Sequence, residues 1–250
     1  MRLQLSRKLA VGSVGRFGVA GLSLWSTAAF ALTISPVLVE LSPGRRIVSI
    51  TVANSADHAQ TFQTQTLSWG QPEGVDHYGD TDDLIVVPPI ATIEAGGSQI
   101  FRVTTRAPLG AQERAYRLIF EDVTEFAAPS ASPEGTSINV HINHNLPVFV
   151  IAAPGPPLPR LGPCRSPVPA FADGSGCVQL DNDGARNVLV KSLTVDGTAV
   201  HLKLKGGTRV LAGAWRQWSF EIPAHFTGSL QAKAETSAGA IDFEWHVPGR

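Results

Sequence analysis

Candidate metal ligands occur at two places in the chain, and neither spacing favours a bound ion. His141 and His144 are three residues apart in a segment that alternates apolar and polar residues. On a strand, that spacing directs the two rings to opposite faces, so they cannot share an ion. The second place is an acidic cluster made of Asp76, His77, Asp80, Asp82 and Asp83. Because the cluster lacks the D-x-D-x-D-G spacing of a calcium loop, we expect a solvated loop here and no metal site.

Motifs for a catalytic nucleophile are equally weak. Ser175 lies between Gly174 and Gly176, but this is not the G-x-S-x-G elbow that presents a catalytic serine. The chain also has no Walker A or GxGxxG motif. A Ser/His/Asp triad assembles in space from distant positions, so the sequence alone does not exclude one. Since no candidate nucleophile has a distinguishing context, we predict no catalytic residue, no cofactor and no enzymatic activity.

The N-terminal segment has the pattern of an export signal. Four basic residues within residues 1–16 precede an apolar stretch, 17–28, which ends at Ala29-Phe30-Ala31. This order predicts a secretory signal peptide over residues 1–31, cleaved after Ala31. The alternative is a membrane anchor, but the stretch is shorter than the roughly 20 residues that span a bilayer. No later segment is long and apolar enough to span, so we expect no membrane insertion.

Export changes the interpretation of the two cysteines, Cys164 and Cys177. In an oxidising compartment, two cysteines this close in one Pro/Gly-rich stretch predict a structural disulfide. A redox pair would have C-x-x-C spacing, and a zinc site would need further Cys or His nearby. Neither pattern is present around this pair.

Composition narrows the class of protein. Only 16% of the residues are charged, and the chain holds 24 glycines and 18 prolines. This profile is typical of many turns and short strands rather than of long helices. The formal net charge is −1, so there is no basic excess that would indicate nucleic acid as a partner.

Two groups of short segments with strand-like patterns predict an all-β chain. Those of the first group are 47–52, 62–67, 100–105, 116–120 and 138–142, and those of the second are 177–180, 188–195, 200–204, 215–222, 228–234 and 241–247. Between the groups, prolines in 153–159 have no N–H to donate to a sheet and predict a stiff linker. We therefore expect two immunoglobulin-like β-sandwich domains, 32–153 and 154–250. A single large sandwich is disfavoured by the linker.

A small, polar, proline-containing segment, 126–137, predicts a mobile surface loop. Directly after it, Ile138, Val140 and Ile142 alternate with polar residues. Two interpretations stay open for this strand. It is either an internal strand of the first sandwich or an edge strand kept available for a partner.

An ordered series of segments carries a family resemblance. It comprises 34–41, 48–54, 65–69, 83–89, 93–103, Glu113, Tyr116-Arg117-Leu118 and 145–150. Following a signal peptide and preceding a second β domain, the series resembles the periplasmic chaperones of the chaperone–usher pathway, which assemble bacterial pili. The L-P-V-F-V sequence at 146–150 and the Tyr116-Arg117 pair are most similar to the archaic branch, whose pili include spore-coat-U-like subunits.

The resemblance implies a periplasmic chaperone that binds pilin subunits and passes them to an outer-membrane usher. A pilin subunit resembles an immunoglobulin fold that lacks its last strand, and the chaperone lends a strand to the open groove. This donor-strand complementation is itself a defining example of strand addition to a sheet edge. The donor residues here would be Ile138, Val140 and Ile142, whose spacing of two matches pockets along one groove. Asn139, His141 and Asn143 would face the other way.

The chain departs from the best-known branch of this family at one place. There, an early-strand arginine and a donor-strand lysine grip the C-terminal carboxylate of the subunit. The matching positions here hold Leu38 and Pro147, whose side chains cannot bind a carboxylate. We expect another cation to do so, with Arg117 as the first candidate and Arg102 as the second. The alternative for either arginine is a surface strand residue or an intramolecular ion pair.

An exported two-domain adhesion or carbohydrate-binding module is the alternative function. Such a module would present a cluster of exposed aromatic residues on one sheet face. The tryptophans are instead scattered along the chain, and Trp215 and Trp218 are predicted on opposite faces of one strand. This distribution favours the chaperone.

Overall fold

The structure, a computed structural model, describes residues 32–108, 110–125, 141–151, 155–165, 171–172, 175–196, 198–199, 208–222 and 228–247. The predicted signal peptide lies outside these residues, and so do the predicted loop 126–137, Ile138, Val140 and the predicted strand 200–204. Strands dominate what is described, and the one helical element among these residues is a short 3-10 turn, Pro72–Gly74. None of the described segments forms a helix with the length and apolarity that crossing a bilayer requires.

Ten of the described strands come from the part of the chain before residue 151. They are β1 (Leu32–Ser35), β2 (Val39–Leu41), β3 (Ile47–Asn54), β4 (Gln60–Gly70), β5 (His77–Asp80), β6 (Leu84–Val87), β7 (Ile90–Ile93), β8 (Ser98–Thr105), β9 (Arg114–Asp122) and β10 (His144–Val150). One sheet has the order β1-β3-β8-β6, and the other has the order β2-β10-β9-β4-β5 with β7 also beside β4.

The two sheets of this first sandwich pack face to face around one apolar core. Alternation places Val48, Ile50 and Val52 of β3 inward, while the residues between them face solvent. Phe101 of β8 and Phe120 of β9 meet edge to face across the sheets, with ring centroids 5.0 Å apart. Because these rings come from different sheets, their contact holds the sandwich together.

The rest of the chain forms a second sandwich with its own core. Its strands are β11 (Pro159–Pro163), β12 (Phe171–Ala172), β13 (Ser175–Asn182), β14 (Val188–Val195), β15 (Thr198–Ala199), β16 (Arg209–Val210), β17 (Trp215–Glu221), β18 (Gly228–Thr236) and β19 (Gly239–Val247). One sheet pairs β11, β12 and β17 with β13, and the other has the order β15-β14-β18-β19 with β16 beside β14. The all-β prediction of two sandwiches is therefore confirmed.

The predicted disulfide is present in the second sandwich. Cys164 and Cys177 are joined, with their Cα atoms 5.4 Å apart. Cys177 lies on β13, and the Cys164 backbone N–H donates to the Cys177 carbonyl at 3.2 Å. The bond therefore joins the chain just beyond β11 to the neighbouring strand of the same sheet.

The proline-rich linker ends earlier than the sequence predicted. Pro159 is already part of β11, which pairs antiparallel with β13 from Pro159 opposite Asn182 to Pro163 opposite Val178. Proline is tolerated here because β11 is an edge strand, where a missing N–H can face away from the sheet. The residues just before β11 are also held, since the Leu158 N–H donates to Asn182 Oδ1 at 3.1 Å.

Candidate functional site

The edge of β10 is open over half of its length. Residues His144–Val150 pair with β9 along the whole strand, from His144 opposite Phe120 to Val150 opposite Arg114. On the other side, β2 runs parallel and covers only Val148–Val150. Among the described residues, no strand pairs with this side of His144–Pro147. Such an edge can accept an added strand through its backbone groups.

The predicted strand 138–142 is wrong over its described part. His141 and Ile142 are not in a strand, and β10 begins only at His144. The physical reason is competition for the backbone of Asp122, the residue that Ile142 would face if the β9–β10 register continued. The Asp122 N–H donates to the Asn143 side chain at 3.3 Å, and the Asp122 carbonyl lies 3.0 Å from His141 Nδ1. Side chains thus occupy the groups that a ladder would use.

Alternation along β10 indicates how a donor strand would be oriented. Leu146, Val148 and Val150 point into the core of the first sandwich. Ile142 has the same parity and is 59% exposed. Ile142 therefore has the parity of this buried row but lies before the strand begins, and the half-buried His144 separates it from Leu146. The donor roles of Ile138, Val140 and Ile142 stay predictions.

Arg117 is the cross-strand neighbour of Pro147, one of the two positions at which the family resemblance would place a cation. It is directly opposite Pro147 on β10 and Leu67 on β4. Tyr116 and Leu118 point into the core, so Arg117 projects from the outer face of the sheet together with Pro147. Leu38 immediately precedes Val39, which pairs with Val148. Pro147 therefore lies next to the strand that carries Arg117, whereas Leu38 lies on the far side of β10.

The guanidinium of Arg117 stacks on aromatic rings. Its Cζ is 3.8 Å from the ring centroid of Trp69 and 5.8 Å from that of Tyr78. Stacking of this kind is an attraction between a cation and the negative face of the ring. Arg117 Nε is buried without a hydrogen-bond partner. Within the described ranges no carboxylate forms an ion pair with Arg117, so its charge remains available to a ligand.

Arg102, the second candidate, lies on a different sheet. It is an exposed residue of β8, opposite Ser49 on β3 and Val87 on β6. Phe101 and Val103 on either side of it point into the core, so Arg102 faces outward from the sheet β1-β3-β8-β6. The structure therefore does not bring the two candidate arginines together. Their roles as carboxylate anchors stay predictions.

Asp76 contradicts the prediction that the acidic cluster is a solvated loop. His77–Asp80 form β5, and the side chain of Asp76 is only 6% exposed. Asp76 Oδ1 accepts hydrogen bonds from Trp69 Nε1 at 2.8 Å and from Gln71 Nε2 at 2.9 Å, and it also pairs with Arg216 Nη2. The burial is possible because these donors replace water around the carboxylate.

Arg216 and Gln71 are functional candidates that the sequence did not reveal. Arg216 is 140 positions away from Asp76 and is 3% exposed in its side chain. Burial lowers the pKa of Arg216 from its ordinary value, and the Asp76 charge opposes that shift. Gln71 bridges the sandwiches as well, since Gln71 Nε2 donates to the Arg209 carbonyl at 2.9 Å and Gln71 Oε1 accepts from the Leu211 N–H at 2.9 Å.

A second polar cluster joins the start of β9 to the turn after β13. Glu113 Oε1 accepts from the backbone N–H and the side-chain amide of Asn187 at 3.0 and 2.7 Å. Arg186 lies 3.8 Å from Glu113 and donates to Glu40 at 3.0 Å. Burial raises the pKa of the Glu113 carboxyl above its ordinary value. Polar contacts on two sides therefore tie the sandwiches together.

The described tryptophans do not form an exposed binding platform. Trp69 and Trp218 are buried. Trp215 is half-buried. Its ring packs against Gly74, and a Cβ atom added to Gly74 would lie only 2.6 Å from the ring. These positions give no support to the carbohydrate-binding alternative.

Comparisons with known proteins identify relatives of the chain. The family model for the PapD N-terminal domain of pili and flagellar-assembly chaperones matches residues 31–153. No curated protein matches the chain in sequence.

Solved structures with the same fold include three chaperone structures. A chain of the CsuC–CsuE chaperone–tip adhesion subunit pre-assembly complex, from archaic chaperone-usher Csu pili of Acinetobacter baumannii, has 17% identity and a TM-score of 0.58 over 86% of this chain and 97% of that one. A chain of the Salmonella enterica complex of SafA pilin with the SafB chaperone has 14% identity and a TM-score of 0.61. The match covers 89% of this chain and 99% of that one. The E. coli chaperone DraB has 17% identity and a TM-score of 0.55 over 87% and 99%.

Proposed function

We propose that the chain is a periplasmic chaperone for pilus subunits, because the family model of pili and flagellar-assembly chaperones matches residues 31–153. It binds subunits by donor-strand complementation, prevents their aggregation and delivers them to an outer-membrane usher. Two of the similar structures are chaperones in complex with a tip adhesion subunit or a pilin, which supports this class of partner. The proposal gives the protein no catalytic role.

The open edge of β10 is the observation that carries the proposal. A strand that already pairs with β9 and has a free opposite edge can extend its sheet into a partner. The partner gains backbone hydrogen bonds from this edge. It would also contact the apolar side chains of the proposed donor residues, Ile138, Val140 and the exposed Ile142.

Burying the three branched aliphatic side chains would contribute about 1.5–3 kcal/mol each to the hydrophobic part of the binding energy.

Arg117 supplies the second contact in this proposal. It binds the C-terminal carboxylate of the subunit through a charge-assisted hydrogen bond, which is roughly twice as strong as a neutral one. Its position opposite Pro147 supports the assignment, because the carboxylate and the added strand would then meet the same sheet. The anchor fixes the end of the client and thereby the register of its strand along β10.

Co-expression with the pilin-like products of neighbouring genes tests the proposal. We expect a pull-down from periplasmic extract to recover a one-to-one complex, and we expect the subunit to be degraded or aggregated when the chaperone is left out. Subunits that accumulate equally with and without the protein would contradict the proposal. A subunit extended by several residues at its C-terminus serves as the matched control, because its carboxylate is displaced from the anchor and it should be recovered poorly.

A further inference from the structure

We propose that Trp69 is a positioning residue for Arg117 and that Arg216 of the second sandwich holds Trp69 in place through Asp76. The second sandwich would then set the orientation of the carboxylate anchor on the first. The consequence for subunit binding rests on the proposed function, because it requires Arg117 to be the anchor. The positioning itself rests only on contacts within this chain.

The first step is the contact between Arg117 and the indole ring. The guanidinium carbon lies 3.8 Å from the ring centroid, so the two groups are in van der Waals contact. This stacking restricts a side chain that would otherwise sample many rotamers. On a flat outer face, with Leu67 and Pro147 as cross-strand neighbours, no other described residue offers a polar contact that would do the same.

The indole ring of Trp69 is itself held in place by its neighbours. Trp69 donates its one polar hydrogen from Nε1 to Asp76 Oδ1 at 2.8 Å. Its ring also lies beside Phe149, with centroids 6.0 Å apart, in a cluster with Leu211 of the second sandwich. A hydrogen bond at one edge and packing on the ring leave the indole a single orientation.

The third step connects the ring to the second sandwich. Asp76 Oδ1 accepts Nη2 of Arg216, whose Nε donates to the Arg209 carbonyl at 2.7 Å. Arg216 and Asp76 are both buried, so their attraction is little screened by solvent and their geometry is demanding. Gly74, at φ +73°, lets the preceding turn pack directly on Trp215, the neighbour of Arg216. The turn and the ion pair are thus both in contact with β17.

The inference predicts a spectroscopic signature that needs no client. A proton above an aromatic face is shielded by the ring current, so the Nε–H resonance of Arg117 should be shifted upfield in the intact protein. We expect Trp69→Leu to remove most of that shift, leaving only what the Tyr78 ring at 5.8 Å contributes, and Asp76→Ala to reduce it. Trp69→Phe should retain part of it, because a ring remains without the indole N–H. The Nε–H resonance of the exposed Arg102 is the internal control and should not move.

The outcomes separate this inference from the proposed function. An upfield shift that persists in Asp76→Ala and in Arg216→Gln would overturn the positioning role, whatever the subunit does. If those variants unfold, Trp69→Phe still decides the matter, since an unchanged shift in that folded protein would also overturn it. Pull-downs then test the function: Trp69→Leu should reduce subunit recovery severalfold, with partial rescue by Trp69→Phe. Normal recovery in Arg117→Ala would remove the anchor assignment and leave the positioning intact.

Discussion

The first sandwich has two outer faces, each with one arginine, and the faces differ in what surrounds the charge. Arg117 stacks on Trp69 beside a cluster that the second sandwich covers. Arg102 stands in the open among the aliphatic side chains of Ile47, Val87 and Ile100, which are 59%, 54% and 43% exposed. The same residue type on the same kind of strand is therefore stacked on a ring on one face and exposed to solvent on the other.

This difference indicates which arginine suits a specific ligand. A preoriented cation loses less conformational freedom when it binds a carboxylate, so more of the interaction energy appears as affinity. An exposed arginine must first be ordered, and its charge is screened by solvent and salt. We therefore expect the carboxylate to bind at the aromatic face, even though both faces follow the same alternation of inward and outward residues.

The largest expected effect concerns Val140, one of the proposed donor residues. Val140→Asp would carry a charge without a partner into the subunit groove and cost the complex at least about 4 kcal/mol. His141→Asn is the control, because position 141 has the opposite parity and asparagine can keep the contact with the Asp122 carbonyl. Pull-down yield and thermal unfolding of both variants measure the effect. Equal loss of the client in the two variants would mean that the face assignment is wrong.

Removal of the buried ion pair should have the next largest effect. Asp76→Ala leaves Arg216 charged and unpaired in the interior, which should lower the free energy of unfolding by about 3–5 kcal/mol. Asp183→Ala breaks an exposed pair with Arg160 and should cost at most about 1 kcal/mol. Denaturant unfolding compares the two variants. Similar small losses would mean that Asp76 is as solvated as its sequence context suggests.

The two arginines provide a direct test of the comparison between the faces. Arg117→Ala should weaken the chaperone–subunit complex by about 2–5 kcal/mol, since the carboxylate of the client would be left unpaired. Arg102→Ala should change the free energy of subunit binding by at most about 0.5 kcal/mol. Titration of a purified subunit against each variant measures both. Loss of binding in Arg102→Ala alone would transfer the anchor to the aliphatic face.

The smallest effect is a pH dependence at the contact between the sandwiches. Burial raises the pKa of Glu113 in the folded protein above its unfolded value, so the folded state takes up the proton more readily. The stabilising contribution of this group is therefore greatest below the unfolded pKa and declines as the pH rises through the folded pKa. The free energy of unfolding of the unmodified protein, compared with that of Glu113→Gln at the same pH, should rise as the pH falls from 7 towards 4.5. A difference independent of pH would contradict this assignment.

The sequence determined the elements whose signals are local. The alternation in 47–52, 100–105 and 188–195 predicted β3, β8 and β14, because a strand repeats its environment every two residues. The disulfide between Cys164 and Cys177 was equally accessible, since 13 positions separate the partners. The family resemblance followed from an ordered series of such segments, and the family match to residues 31–153 agrees with it.

Only the tertiary structure decided which side chains meet. No local pattern pairs Asp76 with Arg216, because the partners are 140 positions apart and an acidic cluster is ordinarily solvated. The start of β10 at His144 likewise depends on side chains that bond to Asp122 on the adjacent strand. Alternation directs both Arg117 and Arg102 outward, but it does not say what covers each face. The packing of a second sandwich against Trp69 and Phe149 made that distinction, and it is a property of the whole fold rather than of either strand.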